Sequence, residues 1–311
     1  MNLVKQASQA IVAKRGRGGD SELLAEFVLN RYPNKHTQRA VITDLKQLQD
    51  YLSQTFGIDL FQVKAFEIGL FRKNLEDLNY SIPSINRKLA SIKSFYRFLF
   101  EVGKLDFNPA EYLKLIKFNR RVGKTNHFED SELKSILNSF DEDKIIGLRN
   151  KVFLMIMFFT AARVTAICNL KFEDVLQDVT GVRIRLTEKR GEERVLHLNS
   201  SVVPKFMYFL ASLPYSDGYI FRTMRHKFFT NNQINQCDVF NFIRKASKKI
   251  GLEKKVSAHS FRATFATKWL SNKWNIDELQ KITGHKSFDT LKLYDRNSLE
   301  ASKSSLEKMQ I

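Results

Sequence analysis

Through the first 120 residues, apolar side chains recur in steps of three and four, the spacing of helices that bury one face. SELLAEFVLN opens with a serine cap and carries a short apolar stripe. HTQRAVITDLKQLQDYL sets Val41, Leu45, Leu48 and Leu52 on one side, and QVKAFEIGLFRKNLEDL predicts a third helix. SIPSINRKLASIKSFYRFLFEVG predicts a fourth, with Ile85, Leu89, Ile92, Phe95 and Leu99 inward and Lys88, Lys93 and Arg97 among its other positions. NPAEYLKLI, with Pro109 near its first turn, predicts a short fifth. Residues 21–117 thus read as a compact helical domain, preceded over residues 1–20 by a basic, flexible arm.

The polar, basic stretch KFNRRVGKTNHF interrupts the pattern, and an interdomain linker is expected over residues 118–127. A second domain, 128–311, restarts with EDSELKSILNSF, whose leading acids suit a helix N-terminus. A buried helix is expected over residues 149–159. In GVRIRLTEKRGEERVLHL the period falls to two: Val182, Ile184 and Leu186 alternate, a glycine-containing turn follows, and Val195, Leu196 and Leu198 resume. That pattern predicts a β-hairpin, with YIFRT as a third short strand and residues 232–311 mostly helical. The expected fold class is mainly α: a helical N-terminal domain, then a mostly helical domain with a small antiparallel β-sheet.

Composition narrows the partners. The apolar run VFLMIMFFTAA has 11 residues, short of the about 20 a bilayer demands, so no membrane span is expected. Two cysteines, Cys168 and Cys237, lack metal-ligand spacing and are expected to be reduced core residues of a cytoplasmic protein. Net charge is +18. The first 120 residues hold 19 basic against 12 acidic side chains and the remainder 32 against 21, so both halves are basic. That distribution suits a polyanion contacted along the whole molecule. If the partner is DNA, Arg120, Arg121 and Lys124 of the linker and Lys88, Lys93 and Arg97 of the fourth helix are the candidate phosphate contacts.

Several candidate reactive groups follow in order. Arg163 closes the most apolar helix, where a charge needs a partner or an anionic ligand. Lys189 sits at the hairpin turn, with Arg190 a competing donor one position on. His259 and Arg262, three apart, share a helix face, pairing a proton carrier with a planar fork of donors suited to anionic oxygens. Gly284-His285 precedes Tyr294 by nine residues, counted from the histidine.

In that order and wording the chain resembles the tyrosine recombinase (phage integrase) family. TAARVTAICNL is similar to the family's T-G-x-R-x-S-E-x-x-x-L, EKRGEERVLHL to its K-x-x-x-x-R-x-x-P-L hairpin, and HSFRATFAT to H-x-L-R-H-x-x-A-T. ITGHKSFDTLKLYDR is similar to L-G-H-x-x-x-x-T-x-x-x-Y. The motifs cover about residues 128–300, and the preceding helices resemble the family's core-binding, SAM-like domain in size and placement. The resemblance implies a site-specific recombinase that cleaves and rejoins DNA through a 3′-phosphotyrosyl link, with no metal and no cofactor. Tyr294 would be the nucleophile, Arg163 and Arg262 would bind the non-bridging phosphate oxygens, and His285 would bond the same phosphate. His259 would assist proton transfer, and Lys189 would protonate the departing 5′ oxygen. Double-stranded recombination sites and a synaptic tetramer of this chain are the implied partners; an accessory recombinase is left open. With no further domain expected before Ser21, a Xer-like or plasmid- or element-borne enzyme is favoured.

The departures from the family pattern are Ala161 for the usual Gly, read here as a mild change at a helix position, His197 for Pro, and Ala263 for a second His. Ala166 stands where an acid commonly orients the first arginine, so Arg163 must be held by another group. Two alternatives remain at this point: a recombinase-like DNA-binding protein that has lost cleavage, and a type IB topoisomerase.

Overall fold

The chain divides into two units, residues 1–119 and 120–311. The computed structural model describes residues 20–117, 125–188 and 191–284, with Leu291 and Tyr294. The basic arm up to residue 19, the linker cations Arg120, Arg121 and Lys124, and Lys189 and His285 lie outside the described residues.

In the N-terminal unit four helices, α1 (Asp20–Arg31), α2 (Lys35–Phe56), α3 (Ala65–Asp77) and α4 (Ile82–Glu101), enclose one apolar core. Asn34 starts α2 by accepting the His36 and Thr37 amides, and Gly57 ends it at φ 68°, the left-handed conformation glycine adopts without a Cβ clash. The expected stripes of α2 and α4 are buried. Inside them lies one charged exception. Asp44 is fully buried, and its carboxylate accepts from Arg87, from Lys88 Nζ at 3.2 Å and from Ser91 Oγ at 2.9 Å. These three bonds fasten α4 to α2, and they bury Lys88, which had been expected among the surface cations.

The expected fifth helix does not form; residues 109–112 make a turn and 113–117 run without helical bonding. Side chains of the neighbouring helices hold this backbone instead. Asn86 both donates to the Ile116 carbonyl at 2.9 Å and accepts its amide at 2.8 Å, while Lys93 donates to the Leu113 carbonyl at 3.3 Å. A helix would need the same Ile116 amide for the carbonyl four residues earlier.

In the second unit α5 (Asp130–Asn138) leads into α6 (Ile145–Thr160), apolar around most of its circumference and therefore central. A short helix α7 (Val164–Cys168) follows it. Strands β1 (Val175–Asp178), β2 (Gly181–Thr187) and β3 (Glu193–His197) form an antiparallel sheet in the order β1-β2-β3, with Ile184 opposite Leu196. Val182, Ile184 and Leu186 face the core, as their alternation predicts. β1 went unread because its VLQD has no fully buried position.

After α8 (Val203–Ala211), the strand expected at 219–223 is displaced to β4 (Arg222–Arg225). It pairs with β5 (Phe228–Gln233) in a separate two-stranded sheet and adds no strand to the first. Tyr219 makes only an isolated bridge to Lys171, and the polar NNQ ending of β5 gave no strand signal. Helices α9 (Gln236–Lys249), α10 (Ala258–Ser271) and α11 (Ile276–Thr283) complete the described part. Ring contacts of Phe153 with Phe221 (5.0 Å) and Phe128 with Phe261 (4.7 Å) knit the core across elements distant in sequence. Cys168 is buried in it, which pushes its thiol up to about 12, but Cys237 is exposed, contrary to expectation. Among the described residues no helix is long and apolar enough to cross a membrane.

Asp44→Ala removes the anion from two bonded cations, one of them buried. Amide hydrogen exchange across α2 and α4 should show that unit opening more easily by about 3–5 kcal/mol. A change below about 1 kcal/mol would mean that the cluster does not hold the two helices.

Candidate active site

Four side chains expected to act together do meet, and local backbone geometry explains how. α6 ends when Ala161 turns to φ 46°, ψ 27°, and its amide bonds the Phe158 carbonyl at 3.1 Å. The reversal delivers Arg163 to the start of α7, where it occupies the cap position with extended backbone. Ala161 is therefore not the ordinary helical residue its sequence context implied. It holds a left-handed conformation that costs an L-residue roughly 1 kcal/mol and costs glycine nothing. Its carbonyl points at the second arginine and accepts Arg262 Nη1 at 2.5 Å.

α10 supplies two groups from one face. His259 is in its first turn, exposed, and Arg262 is one turn further on at 2% exposure. The helix is locked in place by Thr264, whose hydroxyl accepts the Phe128 amide at 2.8 Å and donates to the Ser260 carbonyl. Tyr294 packs with Ala263, Ala266, Leu279 and Leu291, and its hydroxyl lies 3.1 Å from His259 Nε2. A cleft of about 210 Å³ opens among Ala162, Arg163, Thr165, Gln236, His259 and Arg262.

This cleft carries a concentrated positive charge. Burial, followed by the neighbouring Arg163, pushes Arg262 down to about 10, so it is still a cation at neutral pH. Among the described residues the carboxylate bonded to Arg163 is Glu188, 7% exposed, whose Oε2 sits 2.5 Å from Arg163 Nη1 and whose Oε1 sits 2.6 Å from Arg194 Nη2. Burial pushes the Glu188 carboxyl up, but the two guanidiniums outweigh it and hold the group below the ordinary carboxylate range. Arg194 also donates to the Ile282 carbonyl at the end of α11.

Sequence reasoning missed Glu188 and Gln236, and gave no role to Arg194, the arginine of the hairpin motif. A signal for Glu188 existed, since it extends the inward series Val182, Ile184, Leu186 by one more step of two. An acid on that face must find cations. Of the N-terminal candidates, Lys88 is an internal counter-ion of Asp44, so its assignment as a surface phosphate contact is corrected. Lys93 and Arg97 are exposed one turn apart, Arg97 bonding Glu101 at 2.8 Å. Among the described residues no group of three or more His, Cys, Asp or Glu side chains could hold a metal.

Residues 126–300 match the phage integrase family, and residues 22–103 match the phage integrase N-terminal SAM-like domain. The chain belongs to the phage integrase family, the tyrosine recombinases. It is 28% identical over 262 residues to a tyrosine recombinase of Pseudothermotoga lettingae, covering 83% of this chain and 86% of that protein. To tyrosine recombinase XerA of Pyrococcus horikoshii it is 27% identical over 261 residues, covering 84% and 85%. Among solved structures, the XerH site-specific recombinase bound to palindromic difH substrate, a post-cleavage complex, superposes with a TM-score of 0.69. The two chains share 16% identity, with 98% of this chain and 95% of that one covered. A lambda integrase dimer bound to a COC' core site gives 0.68 at 15% identity, covering 96% and 78%. At these identities the structural likenesses establish a common fold.

Ala161→Gly relieves the left-handed strain while keeping the carbonyl that Arg262 uses. Stability of the second unit should rise by about 1 kcal/mol. Both tryptophans, Trp269 and Trp274, belong to this unit, so fluorescence-detected urea unfolding reports it separately. A loss of stability would contradict the strain argument.

Proposed function

We propose that this chain is a site-specific DNA recombinase that cleaves and rejoins strands through a 3′-phosphotyrosyl intermediate. The observation that carries the proposal is the 3.1 Å contact of the Tyr294 hydroxyl with His259 Nε2, beside a cleft lined by Arg163 and Arg262. A phenol with a pKa of about 10 is a weak nucleophile at neutral pH, and an imidazole within hydrogen-bond reach can take its proton as the oxygen attacks. Two guanidiniums on the attacked phosphodiester would bind its non-bridging oxygens and offset the charge added in the pentacoordinate transition state. His285 and Lys189 retain the roles that the family motif implies, on the phosphate and on the leaving 5′ oxygen. Because the phosphotyrosyl bond conserves the energy of the broken linkage, a second strand's hydroxyl can reverse the step without ATP or metal.

Double-stranded recombination sites are the proposed substrate, and a tetramer of this chain on two such sites the proposed working assembly, in the cytoplasm and in association with the nucleoid or a plasmid. Lys93, Arg97 and the linker cations Arg120, Arg121 and Lys124 are proposed as backbone contacts. The binder that has lost cleavage is less well supported, since Glu188 supplies Arg163 with the acid that position 166 lacks.

Sites selected from genomic DNA, rebuilt as nicked suicide duplexes, should trap a covalent adduct on a denaturing gel with the wild type. The adduct should persist in a chelator, vanish with Tyr294→Phe, and fall at least about 100-fold in rate with Arg262→Ala. Retention of the adduct by Tyr294→Phe would remove the proposed nucleophile. Lys93→Ala should lower the slope of log affinity against log salt by about 1. A changed affinity with an unchanged slope would remove Lys93 from the phosphate contacts.

A further inference from the structure

Resting on that reading of the cleft, we propose that Glu188 is the positioning residue of Arg163 and that, through Arg194, it ties the arginine to the segment that ends α11. The usual place for such an acid is closed here. Ala166 is 2% exposed within the main hydrophobic core, and its methyl group offers Arg163 no hydrogen-bond acceptor. Glu188, the residue after β2, reaches Arg163 from the hairpin instead.

Each part of Glu188 is fixed. Its amide donates to the Glu192 carbonyl at 2.7 Å and its own carbonyl accepts the Gly191 amide at 3.2 Å, so the hairpin sets its backbone. Each carboxylate oxygen takes one guanidinium, Arg163 on Oε2 and Arg194 on Oε1. The Arg163 side chain is 44% exposed and would otherwise sample many rotamers. A bond at Nη1 restricts the plane of its donor fork while leaving the other N–H groups for a ligand.

Arg194 extends the link. It donates to the Ile282 carbonyl and, at 3.5 Å, to that of Lys281, two of the carbonyls a helix leaves unbonded at its C-terminus. Gly284 caps the helix at φ 63°, and a Cβ there would stand 3.1 Å from Arg194 Nε. Glycine at this position thus serves both the left-handed turn and the close approach of the guanidinium. One carboxylate joins the hairpin turn to the first arginine, 25 residues away, and through Arg194 to carbonyls of α11 that lie 87 and 88 residues from that arginine.

A double-mutant cycle tests the link, using the full chain and the suicide duplex. Wild type, Glu188→Gln, Arg163→Ala and the double variant are compared for adduct formation rate at saturating DNA. Glu188→Gln should slow cleavage about 10- to 100-fold, the loss expected for a catalytic group displaced by about 1 Å. In the Arg163→Ala background the same change should add less than about twofold, because its effect passes through Arg163. Glu188→Asp, which keeps the charge, should recover part of the rate, and it carries the test if tryptophan fluorescence shows Glu188→Gln to be unfolded.

The pH dependence has a definite sign. A carboxyl held below its ordinary value contributes stability above that value and loses it as pH falls through its own, lower one. The stability difference between wild type and Glu188→Gln should therefore be full at neutral pH and close on acidification. Cleavage by Glu188→Gln within twofold of wild type, or losses that multiply in the double variant, would overturn the proposal. Absence of any adduct with wild type would instead overturn the recombinase reading, and this one with it.

Discussion

Among the described residues, three guanidiniums and one carboxylate cluster at the cleft of the second unit, and much of its local structure answers to that imbalance. Like charges at close range in a half-buried site are held only if covalent geometry and hydrogen bonds fix them. Arg262 is anchored by a backbone carbonyl, Arg163 and Arg194 by the two oxygens of Glu188. The surplus positive charge is complementary to an anion such as a phosphodiester, and the cleft is lined by His259, which the tyrosine hydroxyl contacts. The same electrostatics that weigh against the empty site favour the charged substrate.

The backbone around the site follows from this. Ala161 keeps a left-handed conformation because its carbonyl must meet Arg262 while the next residues swing Arg163 into the cleft. Gly284 is needed where Arg194 passes under the end of α11. The apolar α6 supplies the rigid body from which the first arginine is projected, and the locked first turn of α10 fixes His259 and Arg262 relative to each other. Strain and close approach gather where the chemistry is proposed, as they do when function over-determines a local conformation.

Periodicity made much of the architecture legible. The three- and four-residue steps of α2 and α4 and the alternation of β2 appear in the structure as they do in the sequence, because each reflects one buried face. Motif order likewise foretold that Arg163, His259, Arg262 and Tyr294 would come together. What stayed hidden was set by partners distant in sequence. Lys88 lay on a polar position by pattern, yet the buried Asp44, 44 residues earlier, draws it inward. NPAEYLKLI has helical composition, but Asn86 and Lys93 capture its backbone groups. Ala161 reads as helical because alanine is the strongest helix former, and only the glycine of the family motif at that place points to a positive φ. Glu188 is legible from the period of its strand, one step of two beyond Leu186.

The central claim is that Arg163 and Arg262 act on one DNA phosphate within reach of Tyr294. A crystal structure of the Tyr294→Phe variant on its selected duplex tests this most directly. The account predicts a single phosphodiester whose two non-bridging oxygens lie within about 3 Å of the two guanidiniums, with the residue 294 ring facing the phosphorus. DNA bound with its phosphates elsewhere, and the two arginines in contact with protein groups alone, would contradict it.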